Sequence, residues 1–140
     1  MARTKLDLNL LRYINLFESI SQARVKDCFE DLMGNLIFIV YPGEASKAIG
    51  KRGVNINKTS SLINKKIKVV EFNPDVEKFI TNLIYPLKVN SVEFNDGLVI
   101  IKDNDRQKKS MLIGRNAKNL RFLESIVKKY FPQVNEIKVI

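Results

Sequence analysis

The chain carries one pattern twice, and that repeat restricts the fold more than any single motif. Ile49-Gly50-Lys51-Arg52-Gly53 meets Ile113-Gly114-Arg115-Asn116-Ala117 at an offset of 64 residues, and Ile56 falls on Leu120. Ile67-Lys68-Val69-Val70 meets Ile137-Lys138-Val139-Ile140 at an offset of 70, six residues that the spacing assigns to a longer final helix. A self-similarity of about 70 residues calls for two units of one fold. At that size a unit buries too little apolar surface to be more than marginally stable alone, so the two are expected to pack together within a monomer. Asn73-Pro74 is the joint, dividing the chain into residues 1–72 and 73–140.

Hydrophobic spacing supplies the elements. Leu10, Leu11, Ile14 and Phe17 recur at helical intervals, which predicts a helix over residues 6–19 that ends near Ser19 and Ser21. Val25, Cys28 and Phe29 precede Met33-Gly34-Asn35, and the apolar run at residues 36–40 follows, which predicts a hairpin stopped by Pro42-Gly43. A short helix over residues 44–49 with Ala45, Ala48 and Ile49 inward, the turn at residues 50–53 and a helix to about Asn64 with Ile56 and Ile63 inward come next. The β-branched content of residues 67–72 makes a third strand. In the second half Val76, Phe79, Ile80 and Leu83 mark a helix ended by Pro86, and strands over residues 89–94 and 98–101 flank Asn95-Asp96-Gly97. A helix through Met111 and Leu112 leads to Gly114. A longer helix then carries Leu120, Leu123, Ile126, Val127 and Tyr130, and residues 137–140 close the chain as a strand. Each half reads α-β-β-α-α-β, so the fold class is α+β.

Composition narrows the function. With 140 residues, 45% hydrophobic and 28% charged, the chain is that of a folded protein. The net charge of +9 divides as +5 in residues 1–72 and +4 in residues 73–140, a basic surface on both halves rather than a charged tail. Such a balance favours a polyanionic partner. There is one cysteine, Cys28, and no histidine, so neither an internal disulfide nor a histidine-based metal or catalytic site can be built, and no metal or cofactor is expected. Cys28 reads as a small buried hydrophobe. Asp103 and Asp105 read as loop or helix-capping residues, which leaves no enzyme site. The basic N-terminus lacks the apolar run of a signal peptide, and no stretch is long enough to span a membrane, so a cytoplasmic protein is expected.

The most pointed motif is the first turn. Gly50 and Gly53 lack a Cβ, which allows a sharp reversal and close approach of a ligand backbone. A helix starting just after Gly53 presents free N–H groups and the positive end of its dipole. Lys51 and Arg52 add charge. Taken as an isolated tetrapeptide, the same residues would more often be a plain helix-to-helix turn with two solvated cations, so the surrounding context has to decide.

Ile-Gly-x-x-Gly-x-x-Ile between two helices, after a hairpin and before a strand, resembles the K homology (KH) RNA-binding domain, whose glycine loop clamps a few backbone nucleotides. The helix that opens each unit is similar to the type II arrangement. The tandem pair, with Leu16-Phe17-Glu18-Ser19-Ile20 followed by Ala23-Arg24-Val25-Lys26-Asp27-Cys28, resembles the short archaeal form of the NusA transcription factors. The resemblance implies, in each unit, a three-stranded mixed sheet packed by helices on one face. It also implies single-stranded RNA as the partner, lying in a groove between the helix pair and the sheet edge, with phosphates against residues 50–53.

Ile49, Val54, Ile56, Ile67 and Val69 are then the candidate floor for bases, and Ile49 and Ile56 fit core packing equally well. Lys51 and Arg52 would supply sequence-independent attraction. In the second unit Ile113, Gly114, Arg115, Asn116 and Ala117 form the matching loop, with Lys118 and Arg121 in the first turn of the helix after it. Ala117 limits positive φ, unless that position is already helical, so the first loop is expected to be the firmer contact. Lys58, Lys65 and Lys66 read as a solvated face.

The function implied is transcription termination or antitermination, with RNA polymerase or another transcription protein as a candidate partner. The polymerase-contacting domain of the bacterial relatives is not expected within 140 residues. The alternative is a protein-docking or ribosome-associated KH module, whose main partner is protein or structured ribosomal RNA.

Overall fold

The computed structural model describes residues 5–140, with side chains from residue 8 onward. Its chain divides into two compact units between Phe72 and Asn73. In the first, α1 (Lys5–Ser21) leads to the hairpin β1 (Val25–Glu30) and β2 (Leu36–Val40). α2 (Ala45–Ile49), a 3-10 turn (Lys51–Gly53), α3 (Val54–Ile63) and β3 (Ile67–Glu71) follow.

The apolar stripe of α1 explains its place. Leu10, Tyr13, Ile14 and Phe17 fall on one face, and Phe17 stacks on Phe38 of β2 with ring centroids 4.5 Å apart. α1 runs past the expected Ser19 to Ser21, whose Oγ donates to the Phe17 carbonyl at 2.7 Å. Gln22 then turns the chain with φ of 61°. The hairpin closes on Asp31, whose Oδ1 accepts from the N–H groups of Met33 and Asn35, both at 2.9 Å. β2 pairs antiparallel with β1, Cys28 opposite Phe38, and parallel with β3, Phe38 opposite Val69. A parallel partner cannot be reached through a tight turn, so α2, the 3-10 turn and α3 make the crossover. The core lies between this mixed sheet and the helices, around Phe17, Val25, Leu36, Phe38, Val40 and Ala48.

The second unit repeats the plan with α4 (Val76–Ile84), β4 (Ser91–Asn95), β5 (Leu98–Lys102), α5 (Arg106–Ile113), a 3-10 turn (Arg115–Ala117), α6 (Lys118–Tyr130) and β6 (Glu136–Val139). Asp96 and Gly97, with φ of 52° and 83°, make the two-residue reversal of this hairpin. β5 pairs antiparallel with β4 and parallel with β6, where Ile101 faces Val139. β6 is pinned from α6, since the buried Glu124 accepts the Ile137 N–H at 2.8 Å through Oε2.

Two expectations need correction. β4 begins at Ser91 rather than residue 89, and the Asn90 N–H just before it is held by both the Lys102 carbonyl and the Asp103 carboxylate, at 3.0 and 3.1 Å. The six extra residues do not all lie in the last helix either. α6 has 13 residues against 10 in α3, and the remainder is in the connection after it, where Phe131 and Val134 are buried and Pro132 has stopped the helix. The architecture is nevertheless the one the KH resemblance implies, two tandem α-β-β-α-α-β units.

Candidate nucleic-acid interface

Both loops adopt one backbone. Gly50 has φ 78° and ψ 169°, Arg52 has φ 56° and ψ 27°, and Gly53 has φ 75° and ψ 19°. Gly114, Asn116 and Ala117 match them with 74° and 174°, 55° and 31°, and 59° and 24°. The Gly53 N–H donates to the Gly50 carbonyl at 3.0 Å, and the Ala117 N–H donates to that of Gly114 at 3.2 Å. Ala117 is therefore not in the right-handed helical conformation that would suit alanine. It occupies the left-handed region, at a cost of about 1–2 kcal/mol. The closing glycine changed, yet the loop kept its shape.

The reason is an asparagine that the motif reading passed over. Asn55, one residue into α3, reaches back to the end of α2 and donates from Nδ2 to the Lys47 carbonyl at 2.9 Å. Asn119 does the same at the start of α6, donating to the Met111 carbonyl at 2.9 Å. Each side chain crosses directly over the first glycine of its loop. A Cβ on Gly50 would lie 2.7 Å from Asn55 Nδ2, and one on Gly114 would lie 2.6 Å from Asn119 Cγ. That glycine is thus required by the protein itself, before any ligand arrives. A Cβ on Gly53 would meet nothing nearer than 3.8 Å, so only its φ argues for glycine. The signal was present in the sequence: Asn55 and Asn119 stand at the same offset of 64 as the loops.

The helices leaving the loops begin without a side-chain cap, whereas α4 and α5 are capped by Asp75 and Asp105. Uncapped first-turn N–H groups at the positive end of the dipole suit an anion. Lys51, Arg52, Arg115, Asn116 and Lys118 are exposed around these ends. Among the described residues, none of Lys51, Arg52, Arg115 or Lys118 enters an ion pair. Arg121 differs, since its Nη1 lies 3.3 Å from Glu124 Oε1, one turn on, and part of its charge is already answered.

The apolar candidates separate by exposure. Val54 is 54% exposed and Ile49 36%, so both present hydrocarbon beside the first loop, and Ile49 does not turn inward with Ala48 as its spacing suggested, because it stands at the last residue of α2 where the chain breaks at Gly50. Ile56, Ile67 and Val69 are half-buried and pack on the core of the first unit. In the second unit Ile113, Gly114 and Arg115 border a cleft of about 680 Å³, closed on the strand side by Val139 and Ile140. Its other wall is α5, through Arg106, Lys109 and Ser110, none of which the motif reading had singled out. β3 and β6 stand at the edges of their sheets and offer backbone groups on the open side.

Other chemistry is sparse. Among the described residues no three His, Cys, Asp or Glu side chains are placed to hold a metal ion, and no helix is long and apolar enough to cross a membrane. Cys28 is buried, and that burial, reinforced by the charges of Asp27 and Glu30, pushes its thiol up to about 12. Asp103 accepts from the Asp105 N–H and Asp105 from those of Gln107 and Lys108, capping work that occupies both carboxylates.

No family model matches the chain. It is, however, 30% identical to the probable transcription termination protein NusA of Methanocaldococcus jannaschii, over all of this chain and 77% of that protein. The protein of the same name from Methanococcus vannielii is 31% identical, over 84% of this chain and 69% of its own length. That of Halococcus morrhuae is 29% identical, over 92% and 94%. The crystal structure of APE1850 superposes with a TM-score of 0.71 at 34% identity, over 95% of this chain and 99% of that one. The relatives are named as probable transcription termination proteins, and the tandem KH-like architecture agrees with them: the chain belongs to the archaeal NusA family.

Proposed function

We propose that the protein binds single-stranded RNA through its two loops and acts on transcription termination or antitermination beside RNA polymerase in the cytoplasm. The observation that carries this reading is the matching backbone of the two loops, each opening onto an uncapped helix and flanked by cations that enter no ion pair among the described residues. RNA phosphates lie against residues 50–53 and 114–117, where backbone N–H groups and the helix dipoles favour negative charge. Lys51, Arg52, Arg115 and Lys118 strengthen that attraction without reading sequence. Bases rest on the exposed hydrocarbon of Ile49 and Val54 in the first unit and on Ile113 in the second. The outer strands β3 and β6 supply the backbone donors and acceptors that tell one base from another. Ile56, Ile67 and Val69 support this floor from the core rather than forming its surface.

The test is a titration of short single-stranded RNA at two salt concentrations. Binding should weaken as salt rises, with a slope of roughly −0.7 per phosphate contacted. Lys51→Asp with Arg52→Asp, and separately Arg115→Asp, should each lower affinity while leaving the fold intact. Wild-type protein with no affinity for single-stranded RNA at low salt would overturn the proposal. A readout on purified archaeal polymerase, with termination efficiency moved by wild type and not by the combined loop variant, would tie binding to transcription.

A further inference from the structure

The two loops share a backbone, but the walls beside them differ. α2 has 5 residues and α5 has 8, so α5 extends further from its loop. Arg106, Lys109, Ser110 and Ile113 fall at helical intervals of three, four and seven, which places them on one face, and all four line the cleft that Gly114 and Arg115 enter. At the offset of 64 the first three correspond to Pro42, Ala45 and Ser46, none of them charged.

The cations of that wall are uncommitted. Lys108, on another face of α5, donates to the Lys88 carbonyl at 2.7 Å and lies 3.9 Å from Asp103. Arg106, Lys109 and Arg115 enter no ion pair among the described residues. The carboxylates close to them in sequence, Asp103 and Asp105, are engaged by backbone N–H groups at 2.8 Å. α5 carries its wall along roughly 10 Å of helix axis, more than one turn.

From this juxtaposition we infer that the second unit holds the RNA backbone more extensively than the first, along a track from Arg115 through Lys109 to Arg106. The inference rests on the RNA-binding reading of the loops and adds α5 to it. It reverses the order expected from the glycines, in which the first loop was the firmer contact. The alanine at 117 does not weaken the second site, because the loop backbone is unchanged. The extra cations strengthen it, while Ile113 and Val139 give the bases an apolar floor between the helix and the strand.

The test compares Arg106→Ala with Lys109→Ala against Lys51→Ala with Arg52→Ala, in the full chain, using a short oligouridine and a short oligoadenosine. Each pair removes two cations, so each would reduce the salt slope by about 1.4 if both cations met phosphate. The α5 pair should show that reduction between about 50 and 200 mM salt, with a roughly ten- to thirty-fold weaker complex near 100 mM. The first-loop pair should lose less. An unchanged denaturation midpoint of the α5 pair checks that the variant is folded, so that its loss of slope reports lost phosphate contacts.

An α5 pair with wild-type affinity and slope, in a protein that still binds RNA and responds to the first-loop pair, overturns the inference and leaves the RNA-binding reading standing. Wild-type protein that binds neither RNA overturns both. Binding of an acidic peptide at the cleft, with no RNA affinity, does the same and points to a protein partner.

Discussion

Asn55 spans the break between α2 and α3, its Nδ2 donating to the Lys47 carbonyl at 2.9 Å across the face of Gly50. The hydrogen bond clamps the two helices at a set angle and satisfies one of the carbonyls that the end of α2 leaves without a helical partner. It also turns the first glycine into a packing requirement.

The two glycines of the first loop should therefore respond unequally to alanine. Gly50→Ala places a Cβ 2.7 Å from Asn55 Nδ2 and 2.9 Å from Val54 Cγ1, in a backbone region that is almost exclusive to glycine. The conformation alone should cost about 1–3 kcal/mol, before the displaced asparagine is counted. Gly53→Ala should cost less, about 1–2 kcal/mol of left-handed strain offset by about 0.4–1 kcal/mol from a stiffer unfolded chain, since the protein already holds Ala117 in the same conformation. Asn55→Ala should cost about 0.5–1.5 kcal/mol through the lost hydrogen bond. Denaturant titrations of the three variants should show Gly50→Ala as the most destabilised, and a Gly50→Ala as mild as Gly53→Ala would refute the role given to Asn55.

The reverse substitution in the second loop should be favourable. Ala117→Gly relieves the left-handed alanine, worth about 1–2 kcal/mol, and loosens the unfolded chain, at a cost of about 0.4–1 kcal/mol. The net expectation is stabilisation of about 0–1.6 kcal/mol, read as a higher denaturation midpoint at an unchanged slope. A lower midpoint would show that the strain is absent.

Cys28 should be inert while the protein is folded. Burial raises its thiol from 9.0 to about 12, so near neutral pH it is neither exposed nor ionised. Alkylation at mildly alkaline pH should be very slow in buffer and fast in denaturant, because the thiolate is the reactive form. The same shift makes stability pH-dependent. The folded state holds the proton more tightly than the unfolded one, so this contribution is complete below about 9 and is lost as pH rises towards about 12. Cys28→Ser should remove that alkaline dependence, and a wild-type protein as stable at high pH as near neutrality would contradict the burial argument.

Asp103 should govern part of the acid limb. The hydrogen bond from the Asp105 N–H holds its carboxyl below the usual range, against the opposing effect of burial, and Lys108 and the Asn90 N–H add to the lowering. A depressed folded pKa means that the unfolded state binds the proton first. Its stabilisation is therefore present above the ordinary carboxylate range and fades as pH falls through the folded value. Asp103→Asn should destabilise the protein near neutral pH, by turning an amide towards backbone N–H groups, and should flatten the loss of stability at low pH. An unchanged acid limb in the variant would assign that loss to other carboxylates.

Much of this fold could be read from local pattern. The repeat, the order of elements and the place of each loop follow from periods of two and about 3.6 and from turn residues, all of which act over a few neighbours. Residues 49–53 and 113–117 were legible as loop candidates because glycines and cations between two amphipathic helices leave few other readings. Spacing alone could not distinguish an apolar residue that lines a groove from one that supports it, which is why Ile56, Ile67 and Val69 were grouped with Ile49 and Val54.

The sequence by itself determined that this chain makes two α-β-β-α-α-β units, each with a cationic turn between helices, because each of those features is a property of contiguous residues. Only the tertiary structure decided that Ala117 adopts a left-handed backbone, that Asn55 and Asn119 bridge helix ends over glycine, and that Arg121 is shared with Glu124. It also brought Arg106 and Lys109 to the cleft of the second loop. Each of these depends on where a side chain or backbone group finds its partner in space. Local periodicity specifies a face, and the fold chooses what meets it.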